Sequence, residues 1–272
     1  MPNTILIVDD DVDIVEFIAM GLEVEGFTPL KAFNGKEAFK ILEDNIPDLI
    51  LLDIMMPDIS GYEVCKELKM QRKFNLIPII MLTAKLKESD KYEGFITGAD
   101  EYITKPFDFD LLVSSIKRII AENIELKEKK GLKEKFNFTL FSKFEYLRQV
   151  NELITKLFIN TGLQSSEIFK LKLALHELGV NAIEHGNLDN EQKTVTIYYT
   201  LFKEKLKIEI IDEGEGFEWN KLKNPVESEN IERDRGRGIF MVKNFMDEVE
   251  FIEPGNHVVM TKLLSPSSLP SN

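Results

Sequence analysis

The stretch DLILLDIMMPDISG, residues 48–61, carries the clearest fold signal in the chain. An apolar run from Leu49 to Leu52 is followed by Asp53 and then by proline and glycine. A short apolar run bounded by turn residues is typical of a strand that is buried on both faces. We therefore predict a strand that presents the Asp53 carboxylate at its carboxyl end.

Similar apolar runs recur through residues 1–121 and alternate with amphipathic segments of helix length. The runs are ILIV, TPLKAF, DLILLD, IPIIML and EYIT, and GKEAFKILEDN is one of the segments between them. This alternation predicts βαβ units and a doubly wound α/β domain, in which helices cover both faces of a parallel sheet. Functional residues in such sheets gather at the carboxyl ends of the strands.

Five polar residues stand at the predicted strand ends: Asp9, Asp10, Asp53, Thr83 and Lys105. Clustered carboxylates repel one another unless a cation lies among them, so they predict a site for a hard divalent ion such as Mg2+. Lys105 would meet a phosphoryl group as a point charge, and Thr83 would offer its hydroxyl. A single acid at a strand end is more often a helix cap. The set of five favours phosphoryl chemistry.

This set resembles the response-regulator receiver domain, a flavodoxin-like (βα)5 fold. The resemblance implies that Asp53 is the phosphoacceptor and that a sensor histidine kinase is its phosphate donor. It also implies a cis bond before Pro106 and a switch role for Tyr102. The motifs are DD at 9–10, DIMMPDISG at 53–61, TA at 83–84, and KP at 105–106. The implied Mg2+ ligands are Asp9, Asp10 and Asp53, and the implied phosphoryl contacts are Thr83 and Lys105.

Residues 122–134 form a predicted charged helical linker between two domains. The helix would start after Asp108 as its N-cap and end at Gly131. Two interpretations stay open: an extended last helix that acts as a lever or dimer contact, or a solvated charged linker. Residues 106–150 contain no histidine, so a dimerisation helix with a phosphoacceptor histidine is excluded there. This disfavours a hybrid histidine kinase.

The back half, residues 135–264, predicts an α+β sandwich in which helices cover an antiparallel or mixed sheet. Gly162 would close its first helix, and Ser165 or Ser166 would cap its second. Residues 265–272 are predicted to form a flexible tail. The predicted strands are FNFTLFSK, KTVTIYYTLFKE, KLKIEIID and HVVMTKLL, and the predicted helices are FEYLRQVNELITKLFINTG, SSEIFKLKLALHELGVNAIEHG and GIFMVKNFMDEV.

The second of these helices carries an acid and amide stripe. At 3.6 residues per turn, Glu177, Asn181 and Glu184 share one stripe, which faces a cleft or water. A solvated helix face would account for this stripe without any chemistry. His176 is predicted to be packed and to have no catalytic role. The separate apolar stripe comprises Leu171, Leu175, Leu178 and Ala182.

Two glycine motifs follow this helix. DEGEGF, residues 212–217, leaves a strand through two glycines, which lets the backbone approach a ligand closely. RGRGIFMV, residues 235–242, runs from glycines into a helix N-terminus, which is suited to phosphate. Glycine-rich loops are usually only turns, and the chain has no Walker A pattern.

Together these motifs resemble the GHKL ATP-binding fold and, with NFMDEV at 244–249, its bacterial anti-sigma-factor serine kinase branch. The resemblance implies ATP and Mg2+ as cofactors, Asn181 as the Mg2+ ligand, Asp212 as acceptor for the adenine amino group, and Glu177 as general base. Residues 219–235 would form a mobile lid. Asn256 and His257 depart from the family, which often carries threonines there. The implied ATP contacts further include Gly214, Gly216, Gly236, Gly238 and Ile239.

Composition bounds the remaining possibilities. The chain has 272 residues, room for two domains, and a net charge of −13 without a basic stripe, which disfavours nucleic-acid binding. A single cysteine, Cys65, fits a reducing compartment and a core position. The run ILIV is too short for a signal peptide, and no run reaches the roughly 18 apolar residues of a membrane span. We expect a cytoplasmic protein that binds neither DNA nor membranes.

The two resemblances together imply a response regulator whose phosphorylation controls an ATP-dependent protein serine kinase and anti-sigma factor. Its substrate would be an anti-anti-sigma (STAS-like) protein, and its other partner a sigma factor. A second hypothesis keeps nucleotide and partner binding without catalysis, as a switchable clamp. Glu177 favours the first hypothesis, because a clamp needs no general base. A homodimer formed through the receiver is a further expectation.

Overall fold

The computed structural model describes residues 2–84, 95–217 and 237–264. The chain divides into two compact units, Met1–Phe136 and Asn137–Asn272. The predicted lid at 219–235, Gly236 and the predicted tail at 265–272 lie outside the described residues. Within the described ranges, no helix has both the length and the apolar character needed to cross a membrane.

The first unit is built on a five-stranded parallel sheet with the order β2-β1-β3-β4-β6. This confirms the predicted flavodoxin-like fold. Its elements are β1 (Thr4–Val8), α1 (Val12–Val24), β2 (Thr28–Ala32), α2 (Gly35–Asp44), β3 (Leu49–Asp53), α3 (Gly61–Met70), β4 (Ile79–Thr83), β5 (Phe95–Thr97), β6 (Glu101–Thr104) and α4 (Phe109–Lys130).

Two apolar clusters bury the two faces of this sheet. Alternate residues of β3 point to opposite sides, so Ile50 and Leu52 join one cluster while Leu49 and Leu51 join the other. All four side chains are at most 1% exposed, which is why this strand is continuously apolar. Cys65 is also buried, and burial raises the pKa of its thiol to about 12. Cys65 therefore occupies a core position, as the sequence predicted.

The predicted ends of α4 are confirmed. The Asp108 carboxylate accepts the N–H groups of Asp110 and Leu111, and Gly131 ends the helix with a φ of 65°. Residues 122–130 of the predicted helical linker continue the same helix without a break, whereas residues 132–134 are not helical but begin the next strand.

A largely buried ion cluster centred on Asp100 stabilises the first unit. Lys69 Nζ lies 3.0 Å from one carboxylate oxygen, and Lys135 Nζ lies 2.6 Å from the other. The Ile79 N–H also donates to this carboxylate, at 3.0 Å. Burial by itself would raise the pKa of Asp100, but the two lysines and the hydrogen bonds hold it at about 2.

We expect Asp100→Asn to lower the free energy of unfolding by about 3–5 kcal/mol, because it leaves Lys69 buried without its counter-charge. Urea denaturation at neutral pH measures this change. The depressed pKa stabilises the fold above the ordinary aspartate pKa of about 4, and this contribution is lost as the pH falls towards 2. The exposed Asp44→Asn is the control, with an expected change below about 0.5 kcal/mol. Equal effects of the two variants would contradict this account.

The second unit packs helices against an antiparallel sheet with the strand order β10-β11-β9-β8-β7. This confirms the predicted α+β class. Its elements are β7 (Leu132–Phe141), which begins in the first unit, α5 (Phe144–Phe158), a 3-10 turn (Ile159–Thr161), α6 (Ser165–Asn181), a π turn (Ala182–Gly186), β8 (Thr194–Phe202), β9 (Lys205–Asp212), α7 (Arg237–Phe245), β10 (Glu248–Ile252) and β11 (His257–Leu263).

Three local predictions for this unit were wrong. Gln164, not a serine, caps α6, because the Glu167 carboxylate accepts the Gln164 N–H at 3.2 Å in a capping box. The third helix ends at Phe245, and the residues after it form β10, which the sequence did not predict. Pairing of β10 with β11 outweighs the helical pattern there. His176 is exposed rather than packed.

Candidate functional site

Three predicted carboxylates meet at the carboxyl edge of the parallel sheet. Oxygen atoms of Asp9, Asp10 and Asp53 all lie within 4.8 Å of one another, because β1 and β3 are neighbouring parallel strands. Asp9 is 1% exposed and Asp53 is 4% exposed, whereas Asp10 is exposed. An all-oxygen set of this kind fits a hard divalent cation such as Mg2+.

Lys105 joins two of these carboxylates. Its Nζ lies 2.6 Å from Asp9 Oδ2 and 2.5 Å from Asp53 Oδ1, and the Met55 N–H donates to the other Asp53 oxygen at 2.7 Å. Burial raises the pKa of Asp9, although its hydrogen bond with Lys105 opposes that shift. Burial would lower the pKa of Lys105, but the hydrogen bonds with Asp53 and Asp9 raise it. The ammonium group therefore stays charged beside the Asp53 carboxylate.

The remaining predicted residues of this site lie on the adjoining strands. Thr83 ends β4, is 3% exposed, and accepts the Lys105 N–H through its carbonyl oxygen at 2.6 Å. The bond before Pro106 is cis, as the resemblance implied. Tyr102 is partly buried against the core. The structure thus brings the five strand-end residues to one edge of the sheet.

A cleft opens in the second unit. It combines apolar walls with convergent polar groups, which is typical of a small-molecule site. The polar lining comes from α6, from the end of β9, and from the loop before β11. Lining residues used below are Glu177, Asn181, His185, Asp212, Asn256, Gly216, Gly238 and Ile239, and the apolar walls include Leu178, Ala182, Ile210, Phe251 and Val258.

Helix α6 supplies the acid and amide predicted to face a cleft. Glu177 and Asn181, one turn apart, both line it. After Asn181 the helix widens into the π turn, a feature frequent at functional sites. This shifts the next lining position, so His185 lines the cleft while Glu184 lies outside its lining and is exposed. The apolar stripe is buried, as predicted: Leu171, Leu175, Leu178 and Ala182.

Asp212 lies at the end of β9, on the other side of the cleft. One oxygen of its carboxylate accepts the Gly214 N–H at 2.8 Å. Burial raises the pKa of Asp212, and this hydrogen bond opposes that shift. Asn256 binds the Asp212 backbone twice, because its carbonyl accepts the Asp212 N–H at 3.0 Å and its amide donates to the Asp212 carbonyl at 2.9 Å. The carboxylate is therefore an oriented hydrogen-bond acceptor.

Close backbone approach accounts for two of the predicted glycines. A methyl group at Gly238 would overlap the Glu177 carboxylate, so glycine lets the start of α7 reach α6. Gly216 has a φ of 78°, and a methyl group there would overlap the Pro254 carbonyl. Ile239 lines the cleft beside Gly238, whereas Gly214 packs on Gly186 next to Asp212. The second unit thus offers a cleft that combines apolar walls with acid and amide groups.

Sequence reasoning assigned no role to three polar residues of this unit. His185 was passed over because a regular helix favours Glu184 on the polar stripe. Asn256 was noted only as a departure from the family pattern. Asn187 is fully buried and hydrogen-bonded. In the sequence, however, an asparagine at this position indicates only the end of a helix. Only the residue type, an amide at a helix end, could have drawn attention to it.

Fold and sites together define a protein with a carboxylate cluster suited to a divalent cation in one unit and a small-molecule cleft in the other. Residues 5–117 match the family described as the response regulator receiver domain. Residues 141–262 match the family described as the histidine kinase-like ATPase domain. Residues 5–117 are therefore a response regulator receiver domain, and residues 141–262 are a histidine kinase-like ATPase domain.

Characterised relatives match the receiver domain. The phosphate regulon transcriptional regulatory protein PhoB of Pseudomonas aeruginosa is 49% identical over 118 residues, covering 43% of this chain and 52% of that protein. The alkaline phosphatase synthesis transcriptional regulatory protein PhoP of Bacillus subtilis is 44% identical over 123 residues, covering 45% and 50%. The chain thus spans about half the length of the curated relatives it matches.

Solved structures are also similar to part of the chain. The signal receiver domain of a signal transduction histidine kinase from Syntrophus aciditrophicus is 35% identical, with a TM-score of 0.40. The similarity covers 44% of this chain and 91% of that one.

Proposed function

We propose that phosphorylation of Asp53 controls an ATP-dependent protein serine kinase in the second domain. A sensor histidine kinase would donate the phosphoryl group, and an anti-anti-sigma (STAS-like) protein would be the substrate, with a sigma factor as the alternative partner. The observation that carries the kinase proposal is the placement of Glu177 and Asn181 one helical turn apart in the same cleft as Asp212.

The receiver site suits phosphoryl transfer to Asp53. An Asp53 oxygen would attack the phosphorus while the bond from phosphorus to the histidine nitrogen of the sensor kinase breaks. Lys105 would move from the Asp53 carboxylate to pair with the phosphoryl oxygens. Thr83 would offer its hydroxyl to the same group. Mg2+ bound by Asp9, Asp10 and Asp53 would supply further positive charge. The Lys105 ammonium group is already paired with Asp9. A positive charge therefore lies beside the proposed phosphoacceptor Asp53 before any phosphoryl group binds.

The cleft lining fits an adenine nucleotide. Its apolar walls suit a flat ring, and the Asp212 carboxylate suits the adenine amino group. Asn181 would hold Mg2+, which would supply positive charge against the negative charge of the triphosphate. The start of α7 at Gly238 and Ile239 would lie against the phosphates. The lining thus contains groups suited to the base and groups suited to the phosphates.

Glu177 is the proposed general base. It lines the cleft one turn before Asn181, beside the predicted phosphate end. Its carboxylate would take the proton from an attacking serine hydroxyl as the serine oxygen bonds to the γ-phosphorus, and the bond to the β-phosphate oxygen would break to release ADP. Catalysis of phosphoryl transfer depends mostly on positioning the reactants and neutralising charge, so the reaction needs only one carboxylate as a base.

The direct test incubates the purified chain with radiolabelled ATP and candidate anti-anti-sigma proteins, with and without acetyl phosphate. We expect label on a partner serine and a change in its rate when acetyl phosphate is present. Asp53→Asn should remove the effect of acetyl phosphate and leave the basal rate unchanged. Labelling that never depends on Asp53 would contradict the regulatory link, and nucleotide binding without any labelling would favour the clamp.

A further inference from the structure

Asn187 follows the π turn and joins three parts of the second domain. It is fully buried, although it carries a polar side chain. Its amide nitrogen donates to Ser142 Oγ and to the Thr194 carbonyl, each at 2.8 Å. Its side-chain oxygen accepts the Glu213 N–H, also at 2.8 Å. Both the donor and the acceptor end of this buried amide are therefore in use.

The bond to Glu213 matters because Glu213 follows Asp212. From the β11 side, the Asn256 backbone carbonyl accepts the Asp212 N–H at 3.0 Å and the Asn256 side-chain amide donates to the Asp212 carbonyl at 2.9 Å. From the α6 side, Asn187 accepts the N–H of the peptide that joins Asp212 to Glu213. The Glu213 carboxylate adds a second tie, since it accepts the Thr194 N–H at 2.9 Å. Two asparagines thus fix the chain on both sides of Asp212.

Asn187 also continues directly from the turn that carries other cleft residues. Gly186 lines the cleft, and its carbonyl packs so tightly on Gly214 that a methyl group there would overlap it. The backbone N–H of Asn187 donates to the Ala182 carbonyl at 2.8 Å, which anchors the π turn itself. One residue therefore ties the α6 end of the cleft to the Asp212 end.

We propose that Asn187 is a positioning residue that sets base specificity by fixing the Asp212 carboxylate relative to α6. This inference rests on the proposed nucleotide function. Recognition of an amino group requires an acceptor held close to its hydrogen-bonding position, within roughly 0.5 Å. Without the hydrogen bond from the Glu213 N–H to Asn187, the loop after β9 is no longer fixed to the end of α6. The Asp212 carboxylate is then no longer held in one orientation, while the cleft stays open.

The test compares the dissociation constants of ATP and inosine triphosphate, which has an oxygen where ATP has the amino group. A hydrogen bond to a charged group contributes about 1.5–3 kcal/mol, so the wild-type chain should prefer ATP by about tenfold or more. In Asn187→Ala this preference should fall below about threefold. A loss of stability alone would weaken the binding of both nucleotides equally and leave the ratio of their dissociation constants unchanged.

Matched variants separate positioning from folding. Ser142→Ala removes one Asn187 bond that lies away from Asp212, so it should keep the wild-type ratio. Because Asn187→Ala is a buried change, Glu213→Ala provides a second route: it removes the tie to Thr194 and should also lower the ratio. The exposed Glu215→Ala makes the same charge change in the same loop and should not.

Each outcome decides the assignment. A wild-type chain that binds neither nucleotide overturns the proposed function and this role with it. A wild-type chain that binds both equally overturns the role of Asp212 and therefore that of Asn187. If the wild type prefers ATP and the folded Asn187→Ala and Glu213→Ala variants keep that preference, only the positioning role is wrong.

Discussion

Replacing Glu177 by glutamine is expected to slow phosphotransfer to a partner serine by about 10²–10⁴-fold while ATP remains bound. Glutamine has the same size and can still occupy the space beside Gly238, but it cannot take a proton at neutral pH. Binding depends on Asn181, Asp212 and the apolar walls, which this change leaves in place. Initial rates of label transfer and titration calorimetry with Mg2+ and ATP measure the two effects separately.

Glu184→Gln is the matched control for this experiment. It makes the same chemical change two positions before the end of the π turn, on an exposed side chain outside the cleft lining. It should alter neither rate nor affinity. If Glu177→Gln transferred phosphate as fast as the wild-type chain, Glu177 would not be the base. If the wild-type chain bound ATP but transferred nothing, the second domain would be a nucleotide-dependent clamp.

Asn181→Ala is expected to weaken Mg2+-dependent ATP binding by at least about 100-fold. The amide is the proposed metal ligand, and even groups that only orient a metal ligand contribute about 10–100-fold to metal affinity. Alanine keeps the helix, because it has the highest helix propensity. Titration calorimetry with ATP and Mg2+ checks the result, and the difference from wild type should shrink when EDTA removes the metal.

Asn190→Ala is the control for the loss of an amide. Asn190 is exposed in the turn after α6 and accepts the Gln192 N–H at 3.0 Å, outside the cleft lining. Its removal should leave nucleotide affinity at the wild-type value. Unchanged ATP binding in Asn181→Ala would remove the metal site from this cleft and, with it, the assignment of Glu177 as its neighbouring base.

The receiver half was predictable to the level of single residues because its signals are local. A buried parallel strand is a short apolar run, and the residue that follows it stands at the sheet edge whatever the helices do. Asp9, Asp53 and Thr83 were placed in this way. The ion pair that joins Lys105 to both carboxylates was not, because Asp9 and Lys105 are 96 residues apart in sequence and meet only in the folded sheet.

The second half shows where local signals end. The pattern of α6 predicted its buried stripe and its polar stripe, but a regular 3.6-residue period cannot anticipate the π turn that places His185 in the cleft. The predicted third helix ran to Val249 and so included the first two residues of β10, because only pairing with β11 makes them extended. The role of Gln164 as a cap depended on Glu167 turning back to it.

The sequence by itself determined the two domains, the order of most of their helices and strands, and the acidic edge of the first sheet, because periodicity and turn residues act over a few positions. The tertiary structure alone decided which groups on α6 face the cleft and which amides hold Asp212. Those choices depend on hydrogen bonds such as Asn187 to Glu213, 26 residues apart, and Asn256 to Asp212, 44 apart. Such bonds form only when packing brings distant segments within about 3 Å, and no short stretch of sequence encodes that approach.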